Sequence, residues 1–257
     1  MAFGSWIVAV GDELLSGHTA DSNSHFLAGR LRDTPYPVAR IVVVPDREEE
    51  IIEQLRSAEE HGAARVFCCG GLGPTPDDRT FSAVAAHFGV PLVEHGPTID
   101  RIRERVADLY RRGRLPSPEP NPGNRKMALV PRGAVVLPNP VGSAPPVAMP
   151  LAGEAGERWL LVLPGVPAEL RPILDQVVLP TYCAGGSALV WAEQRYTGTA
   201  ESQFFPLLTE LANTYPEVSF GSYPQAVPGE LVIRACSPFG DRLELAMARL
   251  REAAPPR

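Results

Sequence analysis

Short apolar runs alternate with amphipathic segments along most of the chain. Apolar runs predict buried strands, at residues 6–10, 38–44, 64–69, 134–137 and 159–163. Apolar residues at helical spacing predict helices, over residues 22–31, 48–61, 81–88, 99–110 and 168–178. This alternation is typical of right-handed crossovers and a mainly parallel sheet covered by helices. We therefore predict an α/β domain over residues 1–182.

The pattern becomes shorter after a Gly-Gly-Ser joint at residues 185–187. Strands are predicted at residues 189–196, 218–223 and 231–235, and helices at 201–211 and 242–252. The order β-α-β-β-α predicts a small α+β domain over residues 187–257.

Composition narrows the class of protein and its partners. The hydrophobic fraction of 44% over 257 residues is enough for a full core. The net charge of −6 argues against a nucleic-acid binder, which presents a basic face. No apolar stretch approaches the roughly 20 residues that span a bilayer, and the first residues do not resemble a signal peptide. We expect a cytoplasmic protein with neither a membrane nor a nucleic acid as partner.

The cysteines are predicted to pack in the core and not to bind a metal or carry redox chemistry. Four are present, and no C-x-x-C pair supports a zinc ribbon or a thioredoxin-like motif. Cys68 and Cys69 lie in an apolar run, which predicts burial in the core.

A glycine-rich segment follows the third predicted strand, at residues 70–80 with the sequence GGLGPTPDDRT. Glycines let the backbone approach a ligand closely, and free N–H groups before a helix bind anions. Asp77 and Asp78 conflict with bare phosphate unless a cation bridges them, as in magnesium sites. A plain helix N-cap is the alternative interpretation. The predicted phosphate contacts are Gly70, Gly71, Gly73, Thr75 and Thr80.

Acidic residues also follow the first predicted strand. Asp12 and Glu13 stand at its end, where ligands bind in parallel sheets. Two carboxylates at this position could bind a metal or a hydroxyl group. A turn followed by a helix capped by Asp21 is the alternative interpretation.

Two later loops and one basic stretch could reach the same ligand. The loops have the sequences PNPVGSAP at residues 138–145 and LPGVP at residues 163–167. Asparagine and two cations at residues 124–126 could hold a pyrophosphate. Tight turns and a solvated surface are the alternatives. The candidate residues are Asn124, Arg125, Lys126, Gly142, Ser143, Pro164 and Gly165.

Together and in this order, these motifs resemble the CinA (competence/damage-inducible protein A) N-terminal family. That family belongs to the molybdenum-cofactor-biosynthesis superfamily of MoaB/MogA-like, molybdopterin-binding domains. The resemblance covers about residues 5–180, and residues 187–253 resemble the family's small KH-like domain more loosely. It implies a three-layer α/β/α fold with a mainly parallel sheet, and a homodimer.

The resemblance also implies an activity, the hydrolysis of ADP-ribose to AMP and ribose 5-phosphate. The cofactor would be Mg²⁺ or a similar divalent cation, with K⁺ as a further candidate ion. By this resemblance Asp78 and Asp12 are catalytic, and Asp78, Asp77 and Glu13 bind the metal. One departure is Pro146, which stands where the family often has glycine and which removes a backbone donor.

Two other functions compete with this one. Molybdopterin binding or adenylylation would use the same loops. A non-catalytic module that binds nucleic acid through the KH-like unit is the third reading. A KH domain needs a Gly-x-x-Gly loop, and residues 187–253 contain none.

Overall fold

The structure of the protein is a computed structural model that describes residues 4–152 and 157–255. Its chain divides into two units. The first is formed by Met1–Arg32 and Tyr36–Ala184, and the second by Asp33–Pro35 and Gly185–Arg257.

Six strands form the central sheet of the first unit. They are β1 (Ser5–Val10), β2 (Val38–Val44), β3 (Arg65–Cys69), β6 (Val135–Val136), β7 (Val147–Leu151) and β8 (Arg158–Leu163). Their order is β2-β1-β3-β8-β7-β6. The first four strands are parallel, whereas β7 and β6 run antiparallel to their neighbours. A separate antiparallel pair consists of β4 (Leu92–Glu94) and β5 (Leu129–Pro131).

Helices cover both faces of this sheet. They are α1 (Asp12–Leu15), α2 (Ser22–Leu31), α3 (Glu48–Glu60), α4 (Thr80–His87), α5 (Gly96–Arg111), α6 (Pro122–Lys126), α7 (Pro167–Ile173) and α8 (Leu179–Tyr182). A π-helical turn, Leu174–Val178, joins α7 to α8. One core contains residues of α3 and α4, and the other contains residues of α2 and α7. The predicted three-layer α/β/α fold is therefore confirmed.

Cys68 and Cys69 show how β3 contributes to both cores. Neighbouring residues of a strand point to opposite faces, and Cys68 packs into one core while Cys69 packs into the other. Burial raises the pKa of the Cys68 thiol to about 12. Both thiols are free and buried, as predicted.

The second unit has the predicted order β-α-β-β-α. Its elements are β9 (Val190–Thr197), a 3₁₀ turn at Glu201–Phe204, α9 (Phe205–Thr214), β10 (Ser219–Pro224), β11 (Glu230–Ser237) and α10 (Gly240–Ala253). The strands form an antiparallel sheet in the order β10-β11-β9. Its core contains Tyr196, Leu211, Ile233 and Met247.

Several short elements differ from the sequence-based prediction. The Pro-rich segment at residues 115–124, for which no element was predicted, leads into α6, because Asn121 caps that helix and Pro122 occupies its first turn. Strand β7 contains Pro150, and proline is unusual inside a sheet, so its pattern was not recognised. In the part of the chain that the structure describes, no helix is both long and apolar enough to cross a membrane.

Candidate functional site

The predicted loops meet at the carboxyl ends of β1, β3 and β8. A cavity of about 600 Å³ lies between them, within the range of roughly 300–1,000 Å³ that is usual for small-ligand sites. Loops from four separate parts of the chain therefore contribute to one cavity. Of the predicted site residues, it is lined by Glu13, Gly70, Gly71, Gly73, Asp77, Asp78, Ser143, Pro164 and Gly165.

The glycine loop, residues 70–73, forms one wall of the cavity. Gly70 and Gly71 have positive φ angles of 111° and 65°. A Cβ atom on Gly70 would collide with the carbonyl oxygen of Val10, so β1 and β3 can end side by side only with glycine there. Within the described residues, the N–H groups of Gly71, Leu72 and Gly73 donate to no other backbone group. They are therefore available to an anionic ligand.

Asp78 lies over this loop and is held by Thr75. Its Oδ2 accepts a hydrogen bond of 2.9 Å from the Thr75 N–H and another from the Thr75 hydroxyl. A Cβ atom on Gly73 would come within 2.5 Å of Asp78 Oδ2, so a larger residue here would displace the Asp78 carboxylate. Thr75 does not line the cavity, and both its donors are used by Asp78. The structure thus corrects the predicted phosphate contact of Thr75 to a positioning role.

Thr80 is a second correction. Its side chain is buried, and its hydroxyl donates to the Gly70 carbonyl oxygen over 2.8 Å. Thr80 is also the first residue of α4, one residue before the predicted start at residue 81. The residue therefore shapes the glycine loop and does not face a ligand.

The basic stretch supports the glycine loop from outside the cavity. Asn124 forms a capping box with Asn121 at the start of α6. Lys126 Nζ donates to the carbonyl oxygen of Thr75. Burial lowers the pKa of Lys126, against the opposing effect of Asp78 and Asp77. None of the three predicted residues, Asn124, Arg125 and Lys126, lines the 600 Å³ cavity. Lys126 lines a smaller cavity together with Gly71, Gly73 and Asp78, and the contact of the basic stretch with a pyrophosphate stays a prediction.

Asn139 organises the third predicted loop, residues 138–145. Its Nδ2 donates to Ala144 O over 2.8 Å and to Glu169 Oε2 over 2.7 Å. Its Oδ1 accepts from the Gly142 N–H over 2.8 Å. A Cβ atom on Gly142 would collide with the Glu169 carboxylate. Gly142 is therefore a packing residue, and its N–H is already bonded to Asn139. This corrects the predicted contact of Gly142 with a ligand. Ser143 does line the cavity.

Replacing Asn139 by alanine is expected to lower the free energy of unfolding by about 2–3 kcal/mol, because buried polar partners would lose their hydrogen bonds. Urea denaturation would measure this loss. The exposed Asn213 provides the control, since Asn213→Ala is expected to change stability by less than about 0.5 kcal/mol. Equal losses in the two variants would contradict the positioning role of Asn139.

The fourth predicted loop, residues 163–167, packs directly on the glycine loop. A Cβ atom on Gly165 would lie 3.2 Å from the Gly70 Cα. Asn23 fixes this approach, because its Nδ2 donates to Gly165 O over 2.7 Å. Pro146, the departure noted in the third loop, does not line the cavity, and its carbonyl oxygen accepts from the Leu137 N–H.

The carboxylates Glu13 and Asp46 form an acidic wall of the cavity, and Asp46 was not predicted from the sequence. Asp46 follows β2 and lines the cavity, whereas the predicted Asp12 is exposed and does not. The Asp12 N–H donates to Asp46 Oδ2 over 3.0 Å, so Asp12 lies beside the cavity and its catalytic role stays a prediction. Asp21 accepts from the Ser24 N–H and caps α2, as the alternative interpretation held. Asp46 could have been found by the rule already used, a carboxylate at the end of a parallel strand.

The carboxylates repel one another across this wall. Burial raises the pKa of Asp46, and the charges of Asp12, Glu13 and Asp77 raise it further, against a backbone hydrogen bond from Asp12. A divalent cation would relieve this repulsion, and carboxylate oxygens are the ligands that Mg²⁺ prefers. Among the described residues, no three acidic, histidine or cysteine side chains form a metal site by themselves. A cation at this wall would need ligand oxygens and water to complete its coordination.

Asp46→Asn is expected to raise the free energy of unfolding near about pH 7 and to leave it unchanged near about pH 3 in metal-free buffer. The folded state raises the pKa of Asp46 above its ordinary value of 3.8, so folding favours the protonated form. Stability therefore falls as pH rises through the folded pKa, and asparagine removes this loss. Denaturation across this pH range in EDTA is the measurement. A stability gain of the same size at both pH values would contradict the account.

Arg105 is the second residue that the sequence reasoning missed. It lies on α5 and, among the described lining residues, it is the one cation in the cavity. Its Nη1 makes only a long hydrogen bond of 3.3 Å, to Val141 O. Arg101, one turn earlier, donates to the carbonyl oxygens of Asn139 and Ser143. The charged outer face of α5 resembles an ordinary solvated helix surface in sequence, so nothing marked Arg105.

Comparisons with known proteins match both units. The family profile described as "Probable molybdopterin binding domain" matches residues 6–182. The profile described as "FAD synthase, middle domain" matches residues 190–257.

Curated relatives extend over nearly the whole chain. A protein of Pyrobaculum arsenaticum is 37% identical over 223 residues, which is 86% of this chain and 80% of that protein. A CinA-like protein of Myxococcus xanthus is 35% identical over 248 residues, which is 94% of this chain and 56% of that protein. The chain thus spans little more than half the length of this CinA-like relative.

One solved structure is similar in both sequence and fold. It is described as the crystal structure of the protein CinA with unknown function from Thermoplasma acidophilum. It is 31% identical, with a TM-score of 0.59, and the match covers 68% of this chain and 95% of that chain.

Proposed function

Because the chain belongs to the family of the probable molybdopterin binding domain, among its CinA-like members, we propose that it hydrolyses ADP-ribose to AMP and ribose 5-phosphate with a divalent cation. One observation carries the proposal. Free N–H groups, the Arg105 guanidinium and several carboxylates surround the same cavity at the strand ends.

The cavity suits a diphosphate better than an uncharged ligand. The N–H groups of Gly71–Gly73 offer hydrogen bonds to phosphate oxygens. Arg105 offers a further charge-assisted hydrogen bond. The carboxylates would repel the same diphosphate in the absence of a cation. A cavity that holds both hydrogen-bond donors and carboxylates therefore favours a phosphate ligand that binds together with a cation.

The pocket carboxylates would hold that cation. They are Asp78 and Asp77 on the glycine-loop side, and Glu13 and Asp46 on the side of β1 and β2. A bound cation would neutralise negative charge on the diphosphate. The nearby Thr75 side chain and the charges of Lys126 and Arg79 hold the pKa of Asp77 below its usual range, which keeps it ionised.

We assign to Asp78 the role of general base, which accepts a proton from the attacking water. The oxygen of water forms a bond to one phosphorus atom while the bridging P–O bond breaks. AMP and ribose 5-phosphate leave as the two products. Thr75 fixes Asp78 Oδ2, and Asp78 Oδ1 is left to accept the proton of the attacking water.

Incubation of the purified chain with ADP-ribose and Mg²⁺, Mn²⁺ or Co²⁺ tests the proposal, with AMP measured by chromatography. We expect AMP and ribose 5-phosphate in equal amounts, and no reaction in EDTA. If ADP-ribose binds but no metal supports AMP release, the proposed hydrolysis is wrong.

Arg105→Gln is expected to raise the KM for ADP-ribose by about tenfold or more, because a charge-assisted hydrogen bond to phosphate is lost. Arg112→Gln is the matched control. Arg112 lies at the end of the same helix and pairs with the partly exposed Asp108, away from the cavity. Steady-state kinetics of both variants would measure the effect, and equal KM values would show that Arg105 does not contact the substrate.

The family description supports a second candidate function, the binding or adenylylation of molybdopterin. The same cavity would then take a pterin phosphate. Co-purification of a fluorescent pterin, lost in Gly73→Ala, would support this function. Retention of ADP-ribose hydrolysis with no bound pterin would favour the first.

A further inference from the structure

We propose that strand β10 of the second unit is the surface through which two copies of this chain pair. β10 (Ser219–Pro224) lies at one edge of the antiparallel sheet, whose order is β10-β11-β9. Edge-to-edge pairing about a two-fold axis joins the sheets of the two copies into one continuous sheet. The surface is separate from the cavity at the strand ends of the first unit, and the inference does not depend on the proposed hydrolysis.

The backbone of β10 has free hydrogen-bonding groups on its outer edge. Gln225, the residue after the strand, donates its N–H to Glu230 O. Hydrogen-bonded and non-hydrogen-bonded pairs alternate along an antiparallel ladder. The register of β10 with β11 therefore places the N–H and C=O groups of Phe220 and Ser222 on the open side. Among the described residues, neither of them bonds through its backbone to another segment, so both are available to an incoming strand.

The sequence of β10 is complementary to a second copy of itself. In a two-fold antiparallel pair centred on Gly221, Phe220 of each copy lies opposite Ser222 of the other, and all their free groups form hydrogen bonds. Gly221 then lies opposite Gly221 of the second copy, in a pair whose Cα atoms approach to roughly 4.5 Å. A residue without a side chain suits this approach. Pro224 has no N–H, and Val218 opposite it already uses its own N–H, so the pairing ends there without a lost donor.

The charge pattern of β10 favours a second copy as the partner. A two-fold axis brings identical residues close together, so a charged side chain near the axis would repel its own copy. Charged side chains are also a usual protection of an exposed edge strand against pairing. The sequence of β10, SFGSYP, contains no charged residue. β10 therefore lacks the feature that would prevent symmetric pairing.

A groove beside β10 offers apolar surface to the same second copy. Its volume is about 730 Å³, and it lies between β10 and one face of α9. Its apolar lining includes Phe205, Leu208 and Ala212 at helical spacing on α9, and Phe220 on the strand. Phe205 is 72% exposed, more than any other large apolar residue that the structure describes. Covering Phe205 on pairing adds apolar burial to the backbone hydrogen bonds.

Sedimentation equilibrium of the full chain without nucleotide, together with amide hydrogen exchange followed by NMR, tests this interface. We expect a reversible dimer. The amides of Phe220 and Ser222 are expected to exchange more slowly as the chain concentration rises, because only the dimer bonds them. A chain that remains monomeric in the NMR sample overturns the proposal. Exchange at these two amides that does not change with concentration overturns it as well.

Ser222→Pro removes the outward N–H and leaves the ladder with β11 intact. It is expected to raise the Kd of the dimer by about tenfold or more, because one hydrogen bond is lost on each side of the axis. Ser222→Ala is the matched control, since it keeps the N–H and removes only the hydroxyl that bonds to Glu201. Its Kd is expected to equal that of the original chain. An unchanged Kd in Ser222→Pro would show that the chain does not pair through β10.

Phe205→Ser tests the interface without touching the strand. Because Phe205 is exposed, this variant is expected to keep its fold and to raise the Kd of the dimer by about tenfold, the effect of one buried apolar side chain. Leu245→Ser is the control, since Leu245 is 54% exposed on α10 and does not line the groove. Its dimer is expected to be as tight as that of the original chain. Equal Kd values for the two variants would contradict the part of the groove in the interface.

Discussion

Asp78→Asn is expected to lower kcat/KM for ADP-ribose by about 100-fold or more, the effect of losing a positioned proton acceptor. The change removes one charge and keeps the shape of the side chain. An asparagine oxygen still accepts from Thr75, so the glycine loop keeps its geometry. AMP release measured over time at several ADP-ribose concentrations would determine the loss.

Asp100→Asn is the matched control for this prediction. Asp100 lies on α5, is exposed and pairs with Arg103, and it does not line the cavity. We expect its activity to equal that of the original chain. An Asp78→Asn protein that is folded and still releases AMP at the original rate would remove Asp78 from the mechanism.

Gly70→Ala is expected to lower the free energy of unfolding by about 3 kcal/mol or more, from backbone strain and a steric clash together. Gly70 has a φ of 111°, and its Cβ would collide with the backbone oxygen of Val10. Backbone atoms inside a parallel sheet cannot move aside at low cost. Chemical denaturation would measure the loss.

Gly133→Ala separates the two causes of that loss. Gly133 has a φ of 89°, but nothing lies within 4 Å of the position of its Cβ. We expect only the cost of the positive φ, about 1–2 kcal/mol. If both variants lose the same amount, the close approach of β1 and β3 does not explain the glycine at residue 70.

The fold could be predicted in large part because its long elements carry clear periodic patterns. The strands at residues 6–10 and 38–44 and the helix at 22–31 were recognised from apolar runs and amphipathic spacing. The small strands β4 and β5 were missed, since three residues are too few to show a period. Strand β7 was hidden by Pro150, and α6 was hidden in a Pro-rich segment.

The site was predicted in outline, but individual roles depend on contacts that spacing does not contain. The sequence identified the loops that meet at the cavity. It could not show that Thr75, Thr80 and Gly142 use their donors within their own loops. It also could not show that α5 brings Arg105 to the cavity from a helix with an ordinary charged face. The first fact arises from contacts inside the folded loops, and the second arises from packing between distant segments.

A crystal structure of the chain with Mg²⁺ and ADP-ribose whose bridging oxygen is replaced by methylene would test the central claim most directly. We predict that the two phosphorus groups lie against the N–H groups of Gly71–Gly73, with the metal between them and Asp78. A ligand bound elsewhere, with the cavity at the strand ends left empty, would contradict the account.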